Sequence, residues 1–169
     1  MRALILAVLL CLPGSLHAED LRKNAFFLAL QGSWTGDGEF LSLDKPPSPV
    51  RNHIECAFND DGTEFTIKGN LVINESPTEY VWKYTAHEIE GIYRARWTNS
   101  AQPDFVMEYS VNIDQENLIA TLEPAVGAAG SSIIRMVKTV KGDQYQVEVH
   151  ITDSGGNTTL QGTVKFAKD

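Results

Sequence analysis

The chain has 169 residues and only two cysteines, Cys11 and Cys56. That is too few for a disulfide framework, so the fold has to rest on buried apolar surface. Long apolar runs are missing as well: the longest stretches from Ala3 to Leu12, well short of the roughly 20 residues that a membrane-spanning helix needs. Stable membrane insertion is not expected. Positive charge is scarce, with 14 Lys and Arg against 22 Asp and Glu and a formal charge of −8. No basic cluster offers a phosphate-binding surface, which excludes nucleic acid as a partner. With 13 Gly and 7 Pro in no repeat, collagen-like and low-complexity architectures are excluded too. After Gly32 there is no convincing helical periodicity.

The N-terminus reads as an address. Arg2 is followed by the apolar run, then by Pro13-Gly14 and by Leu16-His17-Ala18 before an acidic segment, the pattern of a secretory signal peptide. Residues 1–18 are therefore expected to be removed near Ala18, leaving residues 19–169 as a single domain, secreted or periplasmic and monomeric. A lipid anchor on Cys11 is the rival reading, disfavoured by Leu10 and the short run before it. Cys56 then stands alone as a small buried hydrophobe. On a strand, the three-residue spacing puts it on the opposite face from His53.

Asp20 to Leu30 is the one helical window, with Leu21, Ala25 and Leu28 at i, i+4, i+7, widened by Phe26, Phe27 and Leu30, and with Asp20 as N-cap. The period then changes to two. Ten strands are predicted, at 34–43, 50–58, 64–73, 79–88, 92–98, 104–113, 118–123, 131–140, 144–153 and 158–167. Turn chemistry separates them, for example Asp60-Asp61-Gly62, Glu90-Gly91 and Lys141-Gly142-Asp143. Such short connections join antiparallel neighbours, which makes the topology a meander. The segment Asp44 to Val50, rich in proline, is expected to resist regular structure and to serve as a mouth flap or a linker.

Each strand carries one apolar stripe, such as Phe65, Ile67, Gly69, Leu71 and Ile73, opposite Glu64, Thr66, Lys68 and Asn70. A flat sheet of this size would expose a large apolar face and two edges, and one short helix cannot cover it. Closure removes both problems. The fold class expected is all-β, a ten-stranded antiparallel up-and-down barrel with one short N-terminal helix. Eight strands already leave room for a small ligand.

The string Gly32-Ser33-Trp34, following a short helix at the start of a meander barrel, resembles the calycin superfamily. Lipocalins carry a Gly-x-Trp there, whose Trp closes the barrel bottom. The longer run from Gly32 to Gly38 (GSWTGDG) is similar to the opening of nitrobindin-like proteins, and the whole pattern looks like an uncharacterised exported bacterial branch, over about residues 20–168. The lipocalin Thr-Asp-Tyr motif has no match, since Thr152-Asp153-Ser154 lacks the aromatic. The two helices of fatty-acid-binding proteins are absent. Nitrobindin-like proteins hold haem through a His on the last strand; Thr158 to Lys168 contains none, so no cofactor is expected.

Catalytic constellations are missing from the sequence. His53, His87 and His150 fall on polar stripes without metal-ligand spacing, no G-x-S-x-G elbow occurs, and the glycine-rich run Gly127 to Ser132 lacks the lysine of a phosphate loop. The chain is read as a non-enzyme. Large rings crowd neighbouring inward stripes: Trp82, Tyr84, Tyr93, Trp97, Phe105 and Tyr109, with Met107 among them. Rings with polar tips suit a pocket, or simply fill a wide barrel. On the eighth strand both faces are mixed, Ile134, Met136 and Lys138 on one and Ile133, Arg135 and Val137 on the other. An inward Arg135 would anchor a carboxylate. The expected function is binding of a small apolar or amphipathic molecule in the interior, with a cavity of at least about 300 Å³ open at one end. The alternative is a solid barrel acting as an envelope protein-interaction module.

Overall fold

The computed structural model describes residues 19–43, 45–125 and 132–169. The expected signal segment and the Gly127 to Gly130 run lie outside the described residues. A 3-10 turn (Leu21–Lys23) and a short helix α1 (Ala25–Leu30) precede ten strands: β1 (Gly32–Ser42), β2 (Lys45–Phe58), β3 (Glu64–Ile73), β4 (Ser76–Ala86), β5 (Ile92–Asn99), β6 (Met107–Asp114), β7 (Ile119–Pro124), β8 (Ser132–Lys141), β9 (Gln144–Asp153) and β10 (Thr158–Lys168). Each pairs antiparallel with its neighbour in sequence. Pairing of β1 with β10, from Trp34 opposite Lys168 to Ser42 opposite Leu160, closes the barrel.

The alternation seen in the sequence is the alternation of the wall. Phe65, Ile67, Tyr80, Trp82, Tyr84, Tyr93, Tyr109, Val111, Val164 and Phe166 are buried inside, whereas Thr35, Asp37, Arg51, His53, Glu55 and Lys68 face outward and are exposed. No helix among the described residues is long and apolar enough to cross a membrane.

Two segments depart from expectation. The helical window breaks in two at Asn24, whose extended backbone lets its side chain accept from Phe26 N at 3.0 Å while its amide donates to Tyr93 Oη at 2.9 Å. The buried stripe is consequently Leu21, Phe26, Phe27 and Leu30, and Leu28 points to solvent. The proline-rich segment is strand rather than irregular. Its pairing with β1 runs out to Lys45 beyond a bulge, but pairing with β3 begins only at Val50. Pro46, Pro47 and Pro49 thus sit where β2 has one neighbour, and an edge tolerates the missing N–H.

The 3-10 turn and α1 plug one end. Leu21 N donates to Gly62 O in the β2–β3 turn, and Phe27 stands at the centre, its ring 4.9 Å from Phe65 and 5.5 Å from both Tyr84 and Tyr93. Trp34 is fully buried at the same end, and its Nε1 donates to the Leu30 carbonyl at 2.8 Å, which ties the last turn of α1 to β1. The β1–β10 seam is tight. A Cβ on Gly38 would strike the Thr163 carbonyl and one on Gly162 the Phe40 ring. Glycine at these positions lets the strands approach and lets the ring lie over bare backbone.

Candidate functional site

One end is plugged, and among the described residues no helix or turn covers the other end of the barrel. It is the end where β1, β3, β5, β7 and β9 finish. Inward residues near it, Leu71, Trp97, Met107, Ile134, Val149 and Ile151, are only partly buried, in contrast to the dry plug. Between plug and mouth lies a cavity of about 180 Å³. It is smaller than expected because rings occupy the middle of the barrel. Trp82 lies 5.2 Å from Tyr109 and 6.4 Å from Trp97, and Tyr145 lies 5.0 Å from Phe166.

Four of the residues singled out in the sequence line this cavity: Trp82, Trp97, Met107 and Tyr109. Tyr84 sits just beneath, between the cavity and Phe27. The other three lie elsewhere. Tyr93 belongs to the plug, where its hydroxyl accepts from Asn24 and donates to Glu19 at 3.0 Å. Phe105 is exposed, because the turn after β5, closed by Phe105 N to Gln102 O, delays β6 until Met107. Arg135 is on the outer wall, 3.3 Å from Glu123. The carboxylate anchor proposed for an inward Arg135 is corrected accordingly.

The cation inside is Lys138, which the sequence left undecided. It is 3% exposed and is the one buried charged residue among those described. The β8–β9 hairpin carries the signal that places it. Val140 pairs with Tyr145 across a two-residue turn, and counting back by twos sets Lys138 against Val147, Met136 against Val149 and Ile134 against Ile151, all on one face. Its Nζ donates to Tyr84 Oη at 2.6 Å and lies 4.2 Å from the centre of the Trp82 ring. Desolvation lowers its pKa to about 7, offset in part by Cys56. Burial acts in the opposite direction on the acids nearby. It pushes the Cys56 thiol up to about 12 and raises Tyr80, Tyr84, Tyr109 and Tyr145 above the ordinary phenol range.

A second polar pair sits across the cavity. Asn52 Nδ2 donates to Tyr80 Oη at 2.8 Å, and Asn52 Oδ1 is buried without a partner. An orphaned buried acceptor costs about 1–3 kcal/mol, a cost that a ligand with a donor would offset. The interior therefore offers apolar walls, an amine, phenolic hydroxyls and one vacant acceptor. Among the described residues no imidazole faces it. His53 and His150 are exposed on the outer face, and His87 follows β4, where its ring accepts from Ile89 N. Among the described residues no His, Cys, Asp or Glu side chains gather as a metal site. An engineered apolar cavity of about 150 Å³ holds a benzene, so the space here admits one ring, not a porphyrin.

No protein-family model matches the chain, and no curated protein does. Solved structures do. The chain is similar to Rv2717c from M. tuberculosis at a TM-score of 0.61 and 12% identity, over 83% of this chain and 93% of that one. It is similar to the S-type phycobiliprotein lyase CPES from Guillardia theta at 0.56 and 14%, over 85% and 90%. A protein of the DUF3598 family from Nostoc punctiforme, of unknown function, gives 0.56 and 14%, over 84% of this chain and 48% of that one. Identities this low establish architecture alone: the chain shares with these structures the closed antiparallel barrel, here of ten strands in up-and-down order.

Proposed function

We propose that this protein is an exported, non-catalytic member of the calycin-type barrels that binds one small amphipathic molecule in its interior. The observation that carries the reading is the cavity itself, apolar on most sides and holding Lys138 and the unpartnered Asn52 Oδ1. A barrel built only to present its outer wall gains nothing from a desolvated amine and an orphaned acceptor at its centre. The export half rests on Arg2, the Ala3 to Leu12 run and Ala18. The ligand is ring-sized, with a polar end directed at Lys138 or Asn52.

Native mass spectrometry of the protein purified from its own host is expected to show a stoichiometric small molecule that leaves on denaturation. Titration with benzyl alcohol or benzoate is expected to change the emission of Trp82 and Trp97. A bare polypeptide mass together with unchanged emission would overturn the reading and favour a solid interaction module.

A further inference from the structure

A lysine normally carries its ammonium to water along an apolar stem. Lys23, Lys45, Lys68, Lys83, Lys141, Lys165 and Lys168 all do so here, whereas Lys138 is sealed inside. The other buried polar side chains among the described residues are Asn24, in the plug, and Asn52, so no buried carboxylate balances the amine. A Met or Leu would fill the position without the cost of desolvating a charge. A solitary amine in an apolar pocket is, however, the arrangement that makes lysine a nucleophile toward carbonyl carbon.

We propose that Lys138 is a covalent capture site for a small aromatic aldehyde, which it holds as an imine inside the barrel. This rests on the interior-binding reading above. The Nζ lone pair adds to the aldehyde carbon while the carbonyl π pair moves to oxygen, which takes up a proton as nitrogen loses one, giving a carbinolamine. Its hydroxyl then leaves as water, protonated by a neighbouring acid, the nitrogen lone pair closes the C=N bond, and the proton left on nitrogen returns to that acid. Amine and aldehyde become imine and water, with no change of oxidation state.

The surroundings supply what each step needs. Tyr84 Oη, 2.6 Å from Nζ, is the acid within reach of the departing hydroxyl, and burial keeps its proton in place. The Trp82 face, 4.2 Å from Nζ, stabilises the positive charge of a protonated imine. The groups that face the amine are Cys56 from β2, Tyr80 and Tyr84 from β4, Tyr109 from β6 and Tyr145 from β9, all held uncharged at neutral pH by burial. With the amine's own pKa lowered to about 7 by desolvation, a large share of it is unprotonated at neutral pH. Asn52 Oδ1 would accept from a donor elsewhere on the aldehyde, which favours a hydroxyl-bearing ring.

The test uses the full chain with 4-hydroxybenzaldehyde and cyanoborohydride at pH 7, followed by peptide mapping. A single reduced adduct is expected at Lys138, more than about tenfold above any other lysine. Lys138→Met and Lys138→Arg are expected to lose it, and Tyr84→Phe to slow it on the order of tenfold. The matching alcohol, 4-hydroxybenzyl alcohol, forms no imine and serves as the control for the cavity, read by Trp82 emission. Alcohol binding without a Lys138 adduct would overturn the imine and leave the interior-binding reading standing. Tight binding of 4-hydroxybenzoate with no aldehyde adduct would likewise overturn it, making Lys138 a counter-ion. If neither alcohol nor aldehyde engages the protein, both proposals fall together.

Discussion

Lys138 has a thermodynamic signature that does not depend on any ligand. Its pKa falls from 10.5 to about 7 on folding. Between pH 7 and 9 the unfolded chain therefore keeps a proton that the folded chain has released, and stability rises with pH by up to about 1.4 kcal/mol per unit. Below pH 7 both states are protonated and the whole cost of the buried charge is present. Above pH 9 Cys56 opposes the trend, because its thiol, held up to about 12 from 9.0, ionises first in the unfolded chain. Urea midpoints of the natural protein are expected to climb from pH 7 to 9. Those of Lys138→Met are expected to stay level, with the variant about 2 kcal/mol more stable at pH 6. A parallel response in the two proteins would place the amine in water. In the sequence Lys138 competed with Arg135, three residues away and on the opposite face. Apolar neighbours on both faces made alternation along β8 uninformative, and only the pairing with β9 decides between them.

At the scale of elements, the strands were legible because each has one wet and one dry face, and alternation reports that directly. What escaped was set by neighbours rather than by the segment itself. The prolines of β2 belong to a strand because β3 does not reach them. Phe105 is outside because β6 does not begin until Met107. The helix window is two short pieces because Asn24 caps the second and reaches Tyr93. The dimensions of the cavity were hidden for the same reason, since ring packing across the barrel is not written along any one strand. The plug itself makes a clear prediction. Phe27 contacts Phe65, Tyr84 and Tyr93 from one position with no exposed surface. Phe27→Ala is expected to cost about 3–5 kcal/mol, seen as a lower denaturant midpoint with little change in slope. A loss under about 1 kcal/mol would mean that the plug packs loosely.

As a whole molecule, the protein presents a charged wall closed all the way round, so that only short strand edges are left to template aggregation, and the one on β2 is blunted by Pro46, Pro47 and Pro49. Nine of the ten strand pairings join neighbours in sequence, and the tenth joins the first strand to the last, with Trp34 opposite Lys168. That seam bears on how the barrel forms. Hairpins close short loops, whereas the seam must bring together the two ends of the sheet, and its entropic cost falls due after the other pairs have formed. Val164, buried opposite Gly38, reports on it. Val164→Ala is expected to speed unfolding while leaving the refolding rate within about twofold, in stopped-flow measurements against denaturant. Refolding slowed in proportion to the lost stability would mean instead that the ends meet first. Ordered as expected, the seam is the last contact made and the first to part, so it sets how long the closed barrel lives.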